Sequence, residues 1–256
     1  MRSRAPLLLA VPALGGALLL LLPLVALLDR TPWARLPGLL GRHEVQQALW
    51  LSLRCALGAT ALSLLVGVPL AWVLARTALP GRRILRGLVT VPLVLPPVVG
   101  GVALLLAFGR NGVLGGPLTE AGAVPAFTTW GVILAETFVA LPFLVLVVEG
   151  ALAALPRDAE EVASTLGAAP LRVFLTVTLP AVGPSVGAGA VLAGARALGE
   201  FGATTTFAGS LPSRTQTVPL AVYALLQDDP AAAYALSAVL LAVSVLLVLS
   251  LRTRLR

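Results

Sequence analysis

The fold turns on Glu161–Pro180, EVASTLGAAPLRVFLTVTLP. Together with the preceding ALPRDAE, this stretch opens like a helix. Pro156, Asp158 and the acidic pair Glu160 and Glu161 stand where a missing N–H does no harm and where the helix dipole favours negative charge. Val162, Thr165 and Leu166 then recur on one face at helical spacing. Gly167 and Pro170 stop this short helix, and Pro180 bends the chain into the apolar run that follows. The expectation is a short amphipathic element between two apolar segments, shaped to sit in a partner's groove. A helix that merely joins its neighbours is the plainer alternative.

Apolar runs without a charge make up much of the remaining chain: Ala5–Leu28, Cys55–Ala75, Gly87–Gly109, Val173–Ala195 and Pro230–Leu251. Each is long enough to cross a hydrocarbon layer about 30 Å thick, which takes about 20 helical residues. Of 256 residues, 58% are hydrophobic and 11% charged, whereas an ordinary soluble domain carries about a quarter of its residues as charges. Mean hydropathy is +0.99. A water-soluble core of this length cannot hide so much apolar surface, so the chain is expected to be an all-α, polytopic membrane protein. Six transmembrane helices are predicted, at 5–28, 47–75, 87–108, 128–152, 182–206 and 230–251, the fourth interrupted by Glu136 and Glu149. The first is read as a retained span, because its apolar stretch exceeds the roughly 7–15 residues of a signal peptide and Asp29–Trp33 offers no small-residue cleavage site.

The net charge of +7 comes from arginine alone, since the sequence holds no lysine. There is no basic stripe interleaved with aromatics, which argues against nucleic acid; the arginines gather at the ends of apolar runs. With the N-terminus inside, eleven face the cytoplasm (Arg2, Arg4, Arg76, Arg82, Arg83, Arg86, Arg157, Arg172, Arg252, Arg254, Arg256) and five lie outside (Arg30, Arg35, Arg42, Arg110, Arg214). Arg54 and Arg196 fall within spans and complete the eighteen. The positive-inside rule therefore predicts both termini, and the Glu161–Pro180 segment, in the cytoplasm. Of the outer connections, 109–127 reads as an irregular Gly/Pro-rich loop, and VPLAVYALLQ within 207–229 as a short helix near the membrane surface.

The segment resembles the EAA loop of ABC importer permeases: Glu-Ala-Ala, three residues, Gly, nine residues, an aliphatic, any residue, Leu-Pro. Glu161, Val162, Ala163, Gly167, Val177, Leu179 and Pro180 fall on that pattern, with Val162 the one departure in the first triplet. The resemblance implies a type I ABC importer (MetI-like) permease fold, with residues 1–46 as an added N-terminal span and outer loop, 47–252 as the permease core, and 155–180 as the coupling loop inside it. It further implies that Glu160, Glu161, Ala163, Thr165, Leu166, Gly167, Pro170, Leu171 and Arg172 form the surface docking on a cytoplasmic ABC ATPase. Two copies of that ATPase would serve a homodimer of this chain in a bacterial or archaeal inner membrane, with an extracytoplasmic oxyanion-binding protein on the outer loops. The permease would carry no cofactor, ATP and magnesium being held by the ATPase. Beyond the loop, ARALGEFGATTTFAGS, from Ala195 to Ser210, is similar to the molybdate branch of the molybdate, tungstate and sulfate permeases, which implies molybdate ahead of tungstate or of sulfate and thiosulfate.

Charges within spans are candidates for function. At about 1.5 Å per residue, Arg54 and Glu136 lie roughly 10 and 12 Å from the outer ends of their spans, Glu200 and Arg196 roughly 9 and 15 Å. Arg54, Glu136, Arg196 and Glu200 are expected either to join in one neutral, gate-like network or to form two pairs that fix packing. Thr204, Thr205, Thr206 and Ser210 offer hydroxyls along an oxyanion's path, or bond their own helix backbone. Gly183, Gly187, Ala190, Gly194 and Gly199 suit close packing of the fifth span or a dimer contact.

Other chemistries fit poorly. GPSVG at Gly183–Gly187 has the spacing of a nucleophile elbow but no preceding strand, and the one histidine, His43, lies in an outer loop. His43 and the single Cys55 leave no metal cluster. Without lysine the chain has no Walker A loop, so it is not itself an ordinary P-loop ATPase and ATP must be handled by another polypeptide. An ion-coupled secondary transporter is the rival class; it would transport without an ATPase.

Overall fold

Proline and glycine set the joints of the chain. The computed structural model describes residues 7–254. They fold in order into α1 (Leu7–Arg30), α2 (Leu36–Leu40), α3 (His43–Arg76), α4 (Arg82–Val94), α5 (Pro97–Phe108), α6 (Gly115–Glu120), α7 (Thr129–Ala154), α8 (Asp158–Thr165), α9 (Pro170–Val173), α10 (Leu179–Leu198), α11 (Gly202–Ala208), α12 (Val218–Asp228) and α13 (Pro230–Arg254). A wide π turn, Phe174–Thr178, links α9 to α10. No strand occurs among the described residues. Arg2, Arg4 and Arg256 of the arginine count lie outside them, as do the side chains of Arg252 and Arg254.

Four of the expected spans, α1, α3, α7 and α13, are unbroken helices long and apolar enough to cross a membrane. Glu136 and Glu149 do not interrupt α7, because both turn into the protein. The other two expected spans are broken. The third, expected at 87–108, is α4 followed by α5: Leu95 is extended at ψ 129 before Pro96, and Pro97 opens the next helix. Neither proline has an N–H to continue a helical ladder, and the residue before a proline is pushed out of the helical region. The fifth, expected at 182–206, begins earlier and ends sooner. It runs from Pro170 through a bend of 75° near Gly183, α10 stops at Leu198, and α11 follows across Gly199–Phe201. The GPSVG stretch lies inside α10, which leaves no elbow there.

The core is α7 with α3 and α10 against it, joined by Ala59, Ala71, Leu74, Leu144, Val148, Leu152 and Ala193. Lipid tails are as apolar as leucine, so helices in a membrane are held by close fit. Gly189 provides it, since a Cβ there would stand 2.9 Å from Leu144 Cδ1 and 3.4 Å from the Leu144 backbone. Of the small residues singled out above, Gly194 faces Thr60 on α3, while a Cβ at Gly183 would meet open space. A close approach also joins α5 to α11: a Cβ on Gly101 would lie 2.8 Å from Ala203 O, and one on Gly202 2.7 Å from Pro97 Cβ and 3.3 Å from Val98 N. In contrast, α1 packs on α13 and none of its described side chains is buried.

Candidate functional site

The α7–α10 connection folds as its residues dictate. Asp158, Glu160 and Glu161 occupy the first turn of α8. Gly167 ends the helix at φ +83, a left-handed conformation that costs any residue with a Cβ. The amides of Gly167 and Ala168 turn back to the carbonyls of Ser164 (3.0 Å) and Ala163 (3.1 Å), which is the Schellman closure of a helix end. Pro170 then opens α9.

This connection has an outward and an inward side. Val162 is 59% exposed and Leu166 83%; with exposed Leu171 they form an apolar surface that nothing in the described chain covers. Glu161, Thr165, Pro170 and Arg172 are also exposed, and Ala163 is half-buried. Beside them is a cavity of about 380 Å³ lined by Pro69, Trp72, Val73, Pro170, Leu171 and Phe174, where Trp72 and Phe174 meet edge to face at 5.9 Å. Glu160 points the other way. Its Oε1 accepts from Thr178 Oγ1 at 2.8 Å and lies 3.3 Å from Arg76 Nη2. Nearby, Arg86 Nε donates to Glu149 Oε1 at 2.7 Å. Sequence reasoning counted Arg76 and Arg86 only as topology charges and passed over Thr178; no spacing in the sequence announces that helices so far apart in the chain bring these groups together.

The structure divides the four charges expected within spans. Arg196 Nη2 and Glu200 Oε2 pair at 2.6 Å. Glu200 lies in the break after α10, where its Oε1 accepts from Ala203 N at 2.8 Å and caps the first turn of α11. Glu136 is 1% exposed, and its Oε2 has no hydrogen-bond partner among the described residues. Arg54 does not join them. Matching its depth to Glu136 ignored the face it occupies: Leu51, Ser52, Cys55, Ala56 and Ala59 line the buried side of α3, whereas Arg54 is exposed and lies over the Trp50 ring at 4.7 Å.

The hydroxyls divide as well. Thr205 and Thr206 bond the carbonyls of Phe201 (2.7 Å) and Gly202 (2.9 Å) in their own segment, and Ser210 accepts from Gln216 Nε2 at 3.3 Å. Thr204 Oγ1 is buried with no partner among the described residues. At the same end, Arg42 Nη1 binds Asp229 Oδ2 at 2.6 Å, a bond that holds the Asp229 carboxyl below the usual carboxylate range.

The chain matches the family described as "Binding-protein-dependent transport system inner membrane component" over residues 67–255. It is 50% identical over 244 residues to the molybdenum transport system permease protein ModB of Mycobacterium tuberculosis, covering 95% of this chain and 92% of that protein. To the sulfate transport system permease protein CysT of Salmonella typhimurium it is 37% identical over 240 residues, covering 92% and 87%. Among solved structures it is similar to a bacterial ABC transporter involved in the import of the polysaccharide alginate, with a TM-score of 0.69 at 18% identity, covering 96% of this chain and 92% of that one; that likeness speaks to fold alone. The all-helical architecture and the match across three quarters of the sequence lead to one assignment: the chain belongs to the binding-protein-dependent transport system inner membrane components, the permease subunits of ABC importers.

Proposed function

We propose that this chain is the membrane-spanning subunit of an ATP-driven importer that moves molybdate into the cytoplasm. The observation that carries the reading is the 50% identity, spread over 95% of the chain, to a molybdenum transport permease, against 37% to a sulfate permease. In this reading the bare apolar surface of Val162, Leu166 and Leu171 docks on a separate ATPase, two copies of which serve a homodimer of the permease. Both termini face the cytoplasm, as the arginine count favours, and the loops around α6 and α12 receive the oxyanion-binding protein. The ion passes between the two copies along α5 and α11, where Val98, Val102 and Thr205 are exposed. A path with few fixed charges suits a carrier whose affinity resides in its binding protein.

Reconstitution tests this. Proteoliposomes holding the permease, its ATPase and the binding protein should take up molybdate with vanadate-sensitive ATP hydrolysis, and vesicles with the permease alone should take up none. Uptake by the permease alone would establish the secondary-transporter reading. Tight sulfate binding by the binding protein with none for molybdate would overturn the substrate.

A further inference from the structure

We infer that Arg76, Glu160 and Thr178 are positioning residues that fasten α8 to the helical core, so that displacement of α8 is passed to α3, α7 and α10 as one body; this rests on the importer reading above. None of the residues of α8 is buried, so little apolar packing holds the helix in place. Among the described residues its side-chain ties to the core run through one carboxylate. Glu160 Oε1 receives Thr178 Oγ1 at 2.8 Å, and Thr178 is buried in the π turn that enters α10. The same oxygen lies 3.3 Å from Nη2 of Arg76, the last residue of α3. Arg76 Nη2 also donates to the carbonyl of Leu155, the residue that caps α7, at 3.1 Å. Glu160 thus meets the end of α3 and the entry to α10 directly, and the end of α7 through Arg76.

The pair is shielded, with the Arg76 side chain 7% and the Glu160 side chain 17% exposed. Neutralising either partner leaves the other charge poorly solvated and without its counter-ion, which is far more costly than losing a surface pair. The two adjacent acids consequently have opposite roles. Glu161 stays outside, on the docking surface, while Glu160 is the inward root of the helix. An α8 freed from this root rotates on its own, and a push from the ATPase is dissipated before it reaches the core.

The test uses the complete complex of permease, ATPase and binding protein in proteoliposomes, with ions transported per ATP hydrolysed as the readout. Glu160→Gln and Arg76→Gln should each lower that ratio by about tenfold while ATPase still co-purifies at the wild-type proportion. Hydrolysis should also lose its stimulation by the loaded binding protein. Thr178→Val should lower the ratio less. The Arg76→Gln/Glu160→Gln double variant should be no worse than either single one, as partners in one link require. An unchanged ratio, with loss only of yield or melting temperature, would reduce the trio to fold stability and overturn the inference. Loss of the ATPase from the purified complex would place Glu160 on the docking surface and overturn it too. Failure of the wild-type complex to import would strike the functional reading instead.

Discussion

Gly167→Ala isolates the backbone requirement of the docking loop. A Cβ at Gly167 would meet nothing within 4 Å, so the substitution creates no clash. Its cost comes from φ +83, a conformation that penalises an L side chain by about 1–2 kcal/mol. Such a penalty alters an equilibrium by about 5- to 30-fold. The closure carried by the Gly167 and Ala168 amides should therefore be lost in a corresponding share of molecules, with the Leu166–Leu171 stretch displaced. In the importer reading, the dissociation constant of the ATPase from detergent-solubilised permease should rise within that range. Gly167→Asn should fall between glycine and alanine, because asparagine tolerates the left-handed region. Equilibrium titration of labelled ATPase measures all three. If alanine binds as well as glycine, or asparagine worse than alanine, the requirement is not conformational and the reasoning fails.

Other expectations follow from packing and pairing. Gly189→Val should destabilise the folded protein by about 1–3 kcal/mol, since its side chain would be forced into Leu144 where α10 crosses α7; a melting temperature equal to wild type in detergent would contradict the close approach. Thr204→Val should be neutral or stabilising by roughly 1 kcal/mol, because it replaces a buried hydroxyl that bonds nothing among the described residues with a group of the same shape; a clear fall in melting temperature would show that the hydroxyl is used. The Arg42–Asp229 tie should hold above the usual aspartate value of 3.8 and weaken as pH falls through the lowered native value, since a depressed carboxylate stabilises only while ionised. Limited proteolysis of the α1–α3 connection by an acid-active protease should therefore accelerate on acidification in the wild type and be insensitive to pH in Asp229→Asn.

The long helices were legible because hydrophobic length is a property of the chain itself. The helix ends at Asp158 and Gly167 were also legible, as caps are local. The break in the third expected span was written in Pro96-Pro97, yet the apolar run from Gly87 to Gly109 outweighed it when hydropathy was averaged. Arg196 and Glu200 stand at i,i+4 spacing, which suits the pair alternative, even though Glu200 lies beyond the helix end. Arg54 shows the limit: depth along a helix can be counted from its end, but the side it faces depends on which neighbours pack there. Trp50, one turn before it, was the available clue. The Arg76–Glu160–Thr178 convergence had no local signal, because its three members belong to separate segments.

The close seat of Gly202 on Pro97 brings the two helix interruptions side by side, Leu95–Pro96 next to Gly199–Phe201. At that level α4–α5 and α10–α11 are each interrupted by non-helical residues, whereas α3 and α7 run as single helices of 34 and 26 residues, each missing only the ladder bond of its internal proline, Pro69 or Pro142. Stiffness is therefore distributed unevenly. Two rigid rods stand beside two rods that are scored at the same height, and α5 and α11, lying almost backbone to backbone, can tilt only as a pair. Bending along that crease ruptures no further helical bond, so deformation of this molecule concentrates there, and loosening the contact at Gly101 or Gly202 would let the paired halves move separately.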